Sequence, residues 1–141
     1  MPAIQRASLV ATVVLLCASA MAQTPGDPER KKAKIVSRTY QMTYGSEERC
    51  KHAEPPAAEQ FQKELTRFVK QNAAFMKQVT ESPHYAKARE QFAHHEKLDP
   101  TRDTPEKLAR ECQYLAELLG SMLDTPDGIQ SVKELQETLS K

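Results

Sequence analysis

Cys50 and Cys112 have the most definite chemistry open to them of any residues in this sequence. In an oxidising compartment an even pair of this kind forms a structural disulfide by default. Closing a loop of about 60 residues would remove unfolded-chain entropy worth about 4 kcal/mol. A redox pair would be expected as Cys-x-x-Cys, which does not occur. Metal ligation by Cys50, His52, Cys112 and a distant histidine is the competing use of the same thiolates. The disulfide is the expectation.

The histidines make a weaker case. His84 and His95 share a helix face, but eleven residues at 1.5 Å each place them about 16 Å apart, too far to hold one metal. His95-Glu96 begins a zinc-protease pattern that fails at its second histidine, where Asp99 and Pro100 stand. No nucleophile elbow, phosphate-binding glycine loop or haem-attachment motif occurs, so no catalytic residue, metal or cofactor is assigned. One polar site remains to be weighed: Asn72 falls within an otherwise apolar helical stripe, and His84 and Tyr85 stand at a neighbouring helix start. Asn72 reads as a buried amide that fixes helix register, or as a polar group lining a ligand cleft shared with His84 and Tyr85.

What makes the disulfide plausible is export. Residues 1–22 carry Arg6, an apolar run from Ala7 to Ala18 and the small-residue pattern Ala20-Met21-Ala22, which together read as a cleaved secretory signal. The run is shorter than the roughly 20 residues a membrane span needs, so no stable membrane insertion is expected. The chain has 20 Lys and Arg against 19 Asp and Glu, and the signal takes Arg6 with it. A neutral mature chain argues against nucleic acid as the partner. The expected location is periplasmic or secreted.

The elements that must position these groups read as helices. Phe61, Leu65, Phe68, Val69, Phe75, Met76 and Val79 form one stripe at helical spacing, and Leu108, Cys112, Leu115, Leu119, Met122 and Leu123 form a second. Tyr85, Ala88 and Phe92, and Ile129, Val132, Leu135 and Leu139, make two weaker ones. Ser82-Pro83, Thr104-Pro105 and Thr125-Pro126 each offer a hydroxyl cap followed by a proline suited to the first turn. Residues 35–44 fit either a strand or a helix, and the helix is preferred because a lone strand would leave its edges unpaired. The residues 23–34 read as a flexible basic leader, with Arg30, Lys31, Lys32 and Lys34 solvated or, on the sharper reading, a polybasic docking site. The predicted fold is all-α: a bundle of four to five helices over residues 35–141, stapled by one disulfide.

A small exported bundle without catalytic motifs is expected to act by binding another macromolecule, as an inhibitor, an immunity-type protein or a chaperone-like accessory. The alternative expectation is a small-ligand or metal binder within the bundle. Neither the partner protein nor the oligomeric state is specified by the sequence.

Overall fold

The computed structural model describes residues 26–141, and the signal-segment reading of residues 1–22 lies outside them. Seven helical segments make up the described chain: α1 (Asp27–Met42), α2 (Tyr44–Lys51), α3 (Pro55–Gln71), α4 (Ala73–Glu81), α5 (Tyr85–Glu96), α6 (Pro105–Asp124) and α7 (Pro126–Ser140). No strand occurs among the described residues; residues 35–42 lie in α1 and Tyr44 opens α2, so the helix preferred for residues 35–44 is found with a break at Thr43, and the all-α expectation stands.

The helix count exceeds four to five for two reasons, and both are the same device. Asn72 ends α3 at φ −116°, ψ 39°, its backbone N–H and its Nδ2 both donating to the Phe68 carbonyl at 2.9 and 3.2 Å. The side chain shares the Phe68 carbonyl with the backbone N–H, and the single helix expected over Phe61 to Val79 is broken there. Thr43 does likewise between α1 and α2, its hydroxyl donating to the Thr39 carbonyl at 2.6 Å in a fully buried position.

The region read as a flexible leader is a second correction, because α1 already begins at Asp27. Pro28 occupies its first turn, and Asp27 and Glu29 lie at the positive end of its dipole. Burial then holds it: Val36, Thr39 and Tyr40 are covered by the rest of the bundle. The basic group is therefore presented on a fixed helix.

The caps foreseen at α6 and α7 are formed, with Thr104 Oγ1 accepting from the Lys107 N–H and Thr125 Oγ1 from the Gly128 N–H. At Ser82-Pro83 the hydroxyl accepts from the His84 N–H within a turn, and α5 opens only at Tyr85.

Helices of like position in the two halves of the chain lie side by side: α1 touches α5, α3 touches α6, and α4 touches α7. The largest interface, α3 on α6, runs parallel. Arg67 pairs with Asp124 at 2.8 Å, while Glu64 stands opposite Gly120. Parallel order also holds for α1 and α5, where Glu29 meets His84 at the first end and Tyr40 meets Glu96 at the other. Parallel neighbours cannot be joined by a tight turn, so α4 and α5 carry the chain back between α3 and α6. Phe61, Leu65, Phe68, Phe75, Val79, Leu108 and Leu119 fill the shared core, each nearly free of solvent.

The turn from α6 into α7 is tight enough to require glycine at one position. A Cβ on Gly128 would stand 2.1 Å from the Ser121 carbonyl oxygen and 2.7 Å from the Met122 Cα, both backbone atoms. Gly→Ala in a helix ordinarily stabilises by up to about 1 kcal/mol. Here the close approach outweighs that gain, and Gly128→Ala is expected to cost about 2 kcal/mol through displacement of α7. A urea titration checks the sign; a variant more stable than the parent would show that the turn relaxes freely.

Candidate functional site

Cys50 and Cys112 are joined, with Cα atoms 5.7 Å apart, which fixes α2 against α6 and removes both thiolates from any metal site. Among the described residues no group of three or more His, Cys, Asp or Glu is placed to hold a metal ion.

The polar trio from the sequence does not assemble. Asn72 is half-buried at the α3–α4 break, and its amide is used on the Phe68 carbonyl of the preceding helix. His84 and Tyr85 stand beyond the far end of α4, a nine-residue helix about 13 Å long. His84 Nε2 is 3.0 Å from Glu29 Oε2 of α1, and Tyr85 packs edge-on against Tyr40 at 5.6 Å between ring centres. These two residues dock α5 on α1. Tyr40 completes that contact by donating its hydroxyl to Glu96, and burial together with this bond pushes its phenol up to about 12.

Next to the disulfide lies an ionic node that no sequence motif announced. Arg49 on α2 donates from Nη1 to Asp103 Oδ2 at 3.2 Å and to the His95 carbonyl at 3.1 Å. Its Nη2 donates to Asp103 Oδ1 at 3.1 Å and to Glu111 Oε2 at 2.9 Å. Asp103 also accepts the Asp99 N–H at 2.9 Å, and its side chain is 1% exposed. One guanidinium thus ties α2, the end of α5, the 97–104 connection and α6 together.

The Arg49 guanidinium and the Asp99 N–H hold the Asp103 carboxyl well below the usual carboxylate range. A depressed folded-state value means the stabilisation is complete above the unfolded carboxylate pKa of about 4 and is lost as pH falls further. Asp103→Asn is therefore expected to be clearly less stable than the parent at pH 7, with the gap closing as pH drops from 5 toward 2. Urea midpoints across that range check it, and a gap independent of pH would show that Asp103 acts without its charge.

Above this node the bundle leaves a cleft between α1 and α6. One hollow encloses about 680 Å³ and is lined by Met42 of α1, Phe92 of α5, Tyr114, Leu115 and Leu118 of α6 and Arg49 below them. A second, of about 340 Å³, lies between α1, Met122 of α6 and Leu135 of α7. Both hollows are lined by Arg38 and Met42, so they adjoin along α1, and the two together are called the trough below.

The reason is written in α6. Its buried row, Leu108, Cys112, Ala116, Leu119 and Leu123, faces the core. A second apolar row, Leu115, Leu118 and Met122, repeats at helical spacing on the adjacent side, where neighbours cover it only in part. Tyr114 borders it and is 65% exposed. Sequence reading merged Leu115 and Met122 with the core stripe and passed over Leu118, Tyr114, Arg38 and Arg49. The available signal was that α6 carries more apolar residues than one face can bury.

The trough is charged on one wall. Lys31, Lys34, Arg38 and Arg49 line it as bases, against Glu111 as its one carboxylate, which is already engaged by Arg49. Among the described residues, Lys31, Lys34 and Arg38 take part in no ion pair. An apolar floor beside a basic wall can bind and orient a ligand.

Among the described residues no helix is long and apolar enough to cross a membrane. Comparison of the chain with protein-family models, with curated proteins and with solved structures finds no match.

Proposed function

We infer that this is an exported binding protein, working in the periplasm or outside the cell, whose trough between α1 and α6 receives part of a partner protein. The observation that carries the reading is the second apolar row on α6. Leu115, Leu118 and Met122 are left partly open beside the exposed Tyr114, and an apolar strip rimmed by polar residues on a small domain is a common mark of an interaction site. The Cys50–Cys112 disulfide supports the export part of the reading, being the usual staple of small domains in oxidising compartments.

A photo-cross-linking residue at Tyr114, compared with the same residue at Gln62 on an exposed face of α3, tests the reading in the native cell. One protein captured from Tyr114, absent from Gln62 and lost in the Leu118→Asp background, is the expected result. No adduct specific to Tyr114 would reject the reading. The small-ligand alternative draws on the 680 Å³ hollow, whose size lies within the range of ligand pockets. Native mass spectrometry that retains a bound small molecule in the parent and not in Leu118→Asp would favour it.

A further inference from the structure

We propose that the segment received by the trough is an amphipathic helix bearing an acidic residue on each turn of one flank. The inference rests on the partner reading above and adds the chemistry of what is bound.

The basic wall is periodic. Lys31, Lys34 and Arg38 are one helical turn apart on α1, all exposed and all lining the hollow that Met122 and Leu135 floor. From Lys31 to Arg38 the bases span about 10 Å at 1.5 Å per residue, two turns of a facing helix. The chain as a whole carries a formal charge of only +1, so this concentration of unpaired base on one edge of an apolar trough is local.

Two features select a helix among the possible occupants. The walls are themselves helices, α1 and α6, held apart by neighbours they share, and an apolar row spaced as Leu115, Leu118 and Met122 offers ridges for a third helix to pack between. No strand edge is present among the described residues to pair with an extended peptide. A single-headed anionic amphiphile would need one basic spot, whereas here the charge recurs at every turn beside apolar side chains of α6 and α7. A ligand with carboxylates at matching intervals meets each of Lys31, Lys34 and Arg38, and lays its leucine-like face on the row below.

Titration calorimetry on the disulfide-bonded protein tests this with two designed 18-residue amphipathic helices of identical apolar face, one flanked by Glu and one by Lys. The Glu peptide is expected to bind at least about tenfold tighter than the Lys peptide at low salt, with the preference shrinking as salt is raised. Lys31→Glu/Lys34→Glu/Arg38→Glu, all on exposed helical positions, is expected to reverse the order while its melting curve stays that of the parent. Equal affinity of both peptides for the parent would overturn the acidic-helix inference and leave the partner reading standing. Failure of both peptides to bind, with sodium dodecanoate binding in their place, would overturn both. Failure of all three probes would likewise reject both readings.

Discussion

Cutting the Cys50–Cys112 bridge is expected to lower the unfolding free energy by about 4 kcal/mol and the melting temperature by roughly 15 °C. The bond closes a loop of 62 residues, and the unfolded chain regains the freedom of that loop when it is opened. Against a total of about 5 to 15 kcal/mol for a domain of this size, that is a large share. Placement adds to the effect. α2 has only eight residues and buries little beyond Gly45 and Cys50, so its attachment to α6 depends on the bridge and on Arg49 beside it. Cys50→Ser/Cys112→Ser and the parent in reducing agent should melt together, well below the oxidised parent. Melting within about 3 °C of the oxidised form would show that the Arg49 node alone holds α2 in place.

The pairing of Cys50 with Cys112 was legible because parity, together with the export reading of residues 1–22, leaves few other uses for two cysteines. Helix starts were legible at Pro105 and Pro126, where cap, proline and acid coincide. The breaks at Thr43 and Asn72 were not, since each residue also sits acceptably inside a helical stripe, and only the local choice of hydrogen bond distinguishes kink from continuation. The basic segment was misjudged for a related reason. Pro28 among lysines reads as a solvated tail until Val36 and Tyr40, further along, are seen to anchor it. Parallel pairing of α3 with α6 leaves no trace in either stripe, because a stripe says that a face is covered and is silent about which helix covers it.

The trough was illegible for the opposite reason: its residues are ordinary ones. Arg38, Leu118 and Tyr114 line one hollow only because α1 and α6 stand apart, with α2 and α7 touching both. The trio of Asn72, His84 and Tyr85 looked more promising on chemical type, yet each member is committed to a structural contact. Residue type favours polar groups as candidates, whereas the site proposed above is a partly open apolar row beside basic side chains.

Phe68→Ala is expected to match the disulfide in magnitude, at about 4 kcal/mol. Phe68 is fully buried on α3, in the largest helix interface of the molecule, and the space it leaves cannot collapse readily because α3 is pinned on both sides of it. Arg67 holds Asp124 of α6, and the Phe68 carbonyl holds Asn72 at the α4 start. Tyr114→Ala removes a side chain of similar size from a 65% exposed position and should change stability by no more than about 0.5 kcal/mol. The contrast separates the face that folds the protein from the face proposed to bind. Parallel register places Phe68 beside the end of α6, about 18 Å along that helix from Cys112. Sites that far apart should act independently, so Phe68→Ala in reducing agent is expected to lose about 8 kcal/mol and to be largely unfolded at 37 °C. Guanidinium titrations of the four species check this, and a loss far short of the combined value would show that the two ends of the α3–α6 pair are coupled.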